Sequence, residues 1–102
     1  MNKPNISKRA FWSYDFSKID FEKDWDFVIG QIVDYGMDDK EFVEIIRFYG
    51  KEKVLSVIHS KLSNIDYRIK YFEVPANDDF ILKRIKRLKI REEQAELVIQ
   101  GD

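Results

Sequence analysis

The chain has 102 residues, enough for one domain, and its 44% hydrophobic and 15% aromatic content supports a core rather than disorder. It has no cysteine, which excludes a disulfide framework, a thiolate zinc site and a cysteine nucleophile, and is compatible with a reducing cytoplasm. The net charge of −1 hides an asymmetry: residues 83–91, KRIKRLKIR, carry six basic side chains and no acid, while the rest of the chain sums to −7.

Residues 1–10 are polar and without periodicity, and read as a loose N-terminal arm. Their basic residues are followed by no apolar run, so no signal peptide is expected. No stretch approaches the roughly 18 to 20 apolar residues of a membrane span. Residues 11–19, FWSYDFSKI, read as an ordered extended segment laying Phe11, Trp12 and Phe16 on the body. From Asp20 the period is helical. Trp25, Val28, Ile29, Ile32 and Val33 form one stripe. Asp20 or Asp24 caps its start, and Gly36 stands at its end. Gly30 inside it is a candidate for a close helix crossing.

A second helix starts at Asp38, with Glu41 three residues on as a capping-box partner, and carries Phe42, Ile45, Ile46 and Tyr49 to Gly50. A third begins at Lys51 with Val54, Leu55, Ile58 and Leu62 inward. Ser63 or Asn64 is expected to cap a short fourth, with Ile65, Ile69 and Phe72 on one side, stopped by Pro75. Asn77 or Asp78 caps the last helix. There Ile81, Ile85, Leu88, Glu92, Ala95 and Ile99 make a heptad-type seam with one charged interruption. Running from 78 to 100, that helix spans roughly 34 Å, longer than so small a body is expected to cover. Part of it is therefore expected to project or to pack on another chain.

Catalytic chemistry finds little material. His59, the single histidine, lies beside the stripe of the third helix with no motif supplying a nucleophile or an orienting acid. Of the acid pairs Asp24/Asp26, Asp38/Asp39 and Asp78/Asp79, the last two fall at helix starts, where carboxylates cap amides. There is no Walker loop, dinucleotide fingerprint, H-E-x-x-H or EF-hand loop, and only four glycines. No enzyme activity, metal site or cofactor is expected.

The basic run is the candidate surface. On a helix, Lys83, Arg84, Lys86, Arg87, Lys89 and Arg91 cover most of what Ile81, Ile85 and Leu88 leave. Three readings compete: phosphate contacts with nucleic acid, an acidic protein partner with the seam in its groove, or a solvated face balanced by the acidic body. A membrane-surface helix is disfavoured, because the apolar face lacks Trp or Phe beyond Phe80. Upstream, the tight Tyr49-Gly50-Lys51 junction followed by a short polar helix is compatible with a helix-turn-helix, with Tyr67 and Arg68 reaching a groove. The competing reading is a bundle surface.

The run FWSYDFSKIDFEKDWDFVIGQIVDYG, residues 11–36, carries Phe11, Trp12, Asp15, Phe16, Lys18 and Asp20, then Phe27, Val33, Tyr35 and Gly36. With the second turn at Tyr49, Gly50 and Glu52, and the ending Tyr71 to Pro75, it resembles a bacterial family of small uncharacterised proteins. Members of that family are often encoded beside nucleotidyltransferase-type abortive-infection toxins. The resemblance implies an antitoxin-like role: binding and restraining a toxin, and binding operator DNA. It brings no catalytic residues, and it has no counterpart for the basic helix beyond Pro75.

The expected fold is all-α: a small bundle of about five helices with an extended aromatic N-terminal segment and a long basic C-terminal helix. Residues 1–10 are the arm, 11–76 the helical core and 77–102 the basic helix. The expected function is a cytoplasmic, non-enzymatic, antitoxin-like binding module. Nucleic-acid contacts fall to the six basic residues of the run with Tyr67 and Arg68. Phe11, Trp12, Ile81, Ile85, Leu88 and Ile99 contact a protein partner. The alternative is an oligomerisation protein in which the C-terminal seam forms a homodimer.

Overall fold

The structure, a computed structural model, describes residues 3–36, 38–72, 75 and 77–98. Ile99 and residue 100 lie outside them, and the last helix, expected to run to residue 100, ends at Leu97 with Val98 extended. Among the described residues there are four α-helices and no strand: α1 (Trp25–Tyr35), α2 (Asp39–Tyr49), α3 (Lys51–Tyr71) and α4 (Asp79–Leu97). α3 is the element against which α1, α2 and α4 all pack.

The all-α expectation holds, and its helix count is corrected. No break occurs at Ser63 or Asn64; α3 runs through both for 21 residues. Ile58, Leu62, Ile65 and Ile69 keep one inward stripe, with Ile58 and Ile65 buried and Leu62 and Ile69 packed against the core. Ser63 and Asn64 are exposed, and each lowers helix propensity by well under 1 kcal/mol relative to alanine. A continuous stripe outweighs that small penalty, so two residues that favour caps in isolation serve as ordinary surface positions.

The continuous α3 also corrects the expectation for the last helix. At 21 residues α3 is about 31 Å long and α4, at 19, about 29 Å, and the two pack on each other. Over its described residues α4 therefore neither projects nor leaves its seam open. Ile81, Leu88 and Ala95 are buried in the chain's own core and Ile85 is partly buried against it. His59 Nε2 lies 2.6 Å from Glu92 Oε2, and Lys51 Nζ donates to the Glu96 carbonyl at 3.0 Å, fixing the register toward the end of α4.

Local chemistry explains the ends of these helices. Asp78 accepts from the amides of Phe80 and Ile81, the cap expected for α4. Asp38 caps α2 through the Glu41 amide at 3.0 Å. The reciprocal half of the expected capping box is not formed among the described residues; Glu41 turns to Ser7 instead, whose amide and hydroxyl both donate to its Oε1 at 3.0 and 2.6 Å. Gly50 alone joins α2 to α3. Its φ of 96° lies where side chains are strained, so the one-residue junction depends on glycine.

The N-terminal segment is folded rather than extended. It forms two 3-10 turns, Lys8–Phe11 and Phe16–Lys18. Edge-on ring contacts run from Tyr14 to Phe27, Phe11, Phe16 and Phe21, at centroid distances of 4.8 to 5.9 Å. Gln31 Nε2 donates to the Ala10 carbonyl at 2.8 Å. Pro4, Ala10 and Phe11 are buried and Ile6 packs against the core, so the expected loose arm is tied down from Pro4 onward. Trp12 departs from its expected place on the body: it is 74% exposed.

The turn before α1 is held by Asp20, which accepts the amides of Lys23 and Glu22; these bonds keep its carboxyl below the usual carboxylate range. Asp24 stands at the N-cap of α1 but takes the Asp20 amide instead of capping the helix. Tyr49 donates its hydroxyl to the Phe21 carbonyl at 2.6 Å, joining this turn to α2. Burial, together with the carboxylates of Asp20 and Asp24, pushes its phenol up to about 12.

Two predictions follow from these contacts. In a helix starting after a Ser63 cap, Asn64 would be the first helical position, where proline is tolerated. In the interior of a continuous α3, Asn64→Pro costs about 3 kcal/mol or more. The urea midpoint should fall accordingly, and an unchanged midpoint would contradict the unbroken helix. For Tyr49, the neutral phenol is the form favoured by the fold. Its stabilisation is complete below the ordinary tyrosine value near 10 and is lost as pH rises through about 12. An alkaline titration of tyrosinate absorbance should lose its latest phase in Tyr49→Phe, and persistence of that phase would contradict the assignment.

Candidate nucleic-acid interface

Two faces of α4 are spoken for. One buries Ile81, Leu88 and Ala95; the flank toward α1 and α2 carries the arginines. Their anchor is Asp34, one residue before the end of α1. A carboxylate there is unfavourable for the helix dipole, so it needs cations supplied from elsewhere. Lys61 of α3 donates to Asp34 Oδ2 at 2.8 Å, and Arg84 Nη2 lies 3.7 Å from the same oxygen. Arg87 Nη1 donates to the Asp34 backbone carbonyl at 2.8 Å. The stem of Lys61 reaches Asp34 by crossing Gly30, where an added Cβ would stand 3.3 Å from Lys61 Cε. This is the physical content of the close crossing expected at that glycine.

Arg91 forms the second anchor. Its guanidinium lies over the Phe42 ring at 4.8 Å and donates to Asp39 Oδ1 at 3.1 Å and Gln94 Oε1 at 3.0 Å. Gln94 Nε2 donates to the same Asp39 oxygen. Only 11% of the Arg91 side chain remains exposed. The basic run thus divides by residue type. Arg84, Arg87 and Arg91 tie α4 to the ends of α1 and α2, while Lys83, Lys86 and Lys89 are exposed and have no ion pair among the described residues.

Lys83 and Lys86 stand on the wall of a groove between α4 and the α1–α2 corner. Its lining includes Tyr35, Arg87 and Ile90 beside them, with Asp39 and Gln94 toward one end. It continues past Asp34 to Phe80 through a neighbouring recess that shares Tyr35, Lys83 and Arg87. Phe80, Lys83, Arg87 and Ile90 are spaced 3, 4 and 3, one helical stripe about 15 Å long. Phe80 is 72% exposed and Tyr35 49%. The two acids in the groove already hold cations, Asp34 from Lys61 and Arg84, Asp39 from Arg91. Lys89 is exposed but lies outside the groove lining.

The other expected site residues fall elsewhere. Tyr67 and Arg68 are exposed near the C-terminal end of α3, where Tyr67 packs on Tyr71 and Phe72. With α3 unbroken, the short separate helix of the helix-turn-helix reading does not exist. Phe11, Ile81 and Leu88 are core residues and Ile85 packs against the core; of the described residues assigned to a protein partner, Trp12 is the exposed one. Tyr35, Phe80 and Asp34 were not among the expected site residues. Phe80 carries a local signal, three residues before Lys83 on the same stripe. Asp34 carries one too, an acid in the last turn of a helix. Tyr35 joins the groove only through the packing of α1 on α4. No group of histidine, aspartate and glutamate side chains among the described residues is arranged to hold a metal ion. No helix among them is long and apolar enough to cross a membrane.

Residues 6–58 match the family described as a family of unknown function (DUF6922), and the chain belongs to that family. The match covers the N-terminal segment, α1, α2 and the first part of α3, and ends before α4. No curated protein and no solved structure matches the chain.

Proposed function

We propose that the chain is a cytoplasmic, non-enzymatic binding module, antitoxin-like in role, that contacts nucleic acid through the lysines of α4 and a protein partner through its N-terminal aromatic segment. The observation that carries the nucleic-acid part is the division of the basic run. Arg84 and Arg91 form ion pairs and Arg87 donates to a backbone carbonyl, while three exposed lysines on the same helix have no ion pair among the described residues. Structural needs account for the arginines and leave the lysines without a role in the fold. An acidic chain that carries a concentrated set of uncompensated cations presents a local field suited to a polyanion.

The protein-partner part rests on two features. The N-terminal segment opens the run whose resemblance suggests the antitoxin-like role, and Trp12 in it is exposed beside the half-exposed Tyr14. Large exposed aromatics are the usual anchors of protein interfaces. A homodimer through the α4 seam is disfavoured, since Ile81, Leu88 and Ala95 already fill the chain's own core.

The test changes Lys83, Lys86 and Lys89 to glutamine together and leaves the arginines, whose loss would loosen α4. Binding of a labelled duplex and a labelled single strand is followed by anisotropy across a salt series. The intact chain should bind with a steep salt dependence. The triple variant, with unchanged helical circular dichroism, should lose about 2 to 3 from the log–log slope, at roughly 0.9 per duplex phosphate or 0.7 per single-strand phosphate. Equal binding and equal slopes in both proteins would remove nucleic acid from the proposal.

A further inference from the structure

We infer that the groove between α4 and the α1–α2 corner takes a single-stranded nucleic acid, with bases stacked on Tyr35 and Phe80 and phosphates on Lys83 and Lys86. This deepens the lysine-face reading and rests on it. Chemistry alternates within one groove. Phe80 lies at one end of the α4 stripe that carries Lys83 and Arg87, and Tyr35 faces that stripe from α1. Neither ring takes part in the aromatic contacts found among the described residues. Exposed rings beside lysines are what an unpaired strand uses, because every base has a face to stack while its backbone needs cations.

Shape points the same way. A helix with its side chains is about 10 to 12 Å across and by itself fills a major groove about 12 Å wide. The lysine stripe of α4 is not free on both flanks. The α1–α2 corner, with Asp34, Tyr35, Gly36 and Asp39, forms the opposite wall of the groove. Inserting α4 into a duplex would drive that wall into the phosphate backbone, whereas a single strand can lie between the two walls. The groove acids are no obstacle, since Asp34 is paired with Lys61 and Arg84, and Asp39 with Arg91. Beyond Arg91 the helix turns acidic at Glu92, Glu93 and Glu96, which ends the track.

The experiment uses the full chain, a labelled thymidine homopolymer, a uridine homopolymer and a duplex of equal length, at fixed low salt and across a salt series. At least one single strand should bind about tenfold or more tightly than the duplex. Tyr35→Leu with Phe80→Leu should weaken that binding by about five- to a hundred-fold per stacked base with the salt slope kept. Lys83→Gln with Lys86→Gln should lower the slope. Phe80→Leu alone, at a 72% exposed position, provides a variant whose fold is not in question. Duplex binding as tight as single-strand binding, or no loss in the aromatic variants, would overturn the inference and leave the lysine reading standing. Binding of none of the three probes would overturn both.

Discussion

The pairing of α3 with α4 is the constraint from which the rest follows. Two helices of nearly equal length lie side by side, and the longer also carries α1 and α2. Burial of a seven-residue repeat, Ile81, Leu88 and Ala95, fixes the rotation of α4 about its own axis. Once that rotation is fixed, the destiny of every basic residue is decided. Arg84, Arg87 and Arg91 reach the ends of α1 and α2, Lys83 and Lys86 line the groove beside that corner, and Lys89 faces solvent. A break in α3 at Ser63 would have left the start of α4 without a full partner, and with it the orientation of the lysines.

Polar contacts then close the corners that the apolar core cannot. Asp34 joins α1 to both α3 and α4, and Glu41 joins α2 to the N-terminal turn. Both are acids from the acidic body, and both take donors from a distant part of the chain. The charge asymmetry therefore has a partial structural explanation. Part of the negative body and part of the basic run neutralise each other at Asp34 and Asp39, and the lysines remain as the uncompensated surplus. Arginine suits the paired positions because its planar fork can hold two acceptors, as Arg91 does, and can stack on a ring such as Phe42.

Periodicity made the core legible. The stripes of α1 and α2, the Asp78 cap, the Gly50 junction and the α4 seam all follow from local spacing and cap chemistry. What could not be read depended on partners distant in sequence. Ser63 and Asn64 look like a boundary until Ile58 and Ile65 are seen buried on one continuous face. Glu41 looks like a capping-box member until Ser7 claims its carboxylate. The six basic residues look equivalent along the run, and only the fold separates the arginines from the lysines. Phe11 and Trp12 are neighbours with the same aromatic character, yet one is buried and the other exposed because only Phe11 lies between the rings of Phe16 and Phe27. The groove itself has two walls more than forty residues apart in sequence, so its chemistry was half visible at best.

In the proposed function, the lysine-bearing face of α4 and the facing end of α1 act as one binding surface for a polyanion. The most direct measurement is amide chemical-shift mapping of the isotopically labelled chain during titration with a short single-stranded oligonucleotide. The account predicts shifts confined to residues 34–36 and to the outer positions of 80–90, with Trp12 and the acidic end at Glu92 to Leu97 unmoved. Shifts centred on Trp12 or on Tyr67 and Tyr71, with Lys83 and Lys86 unchanged, would contradict it.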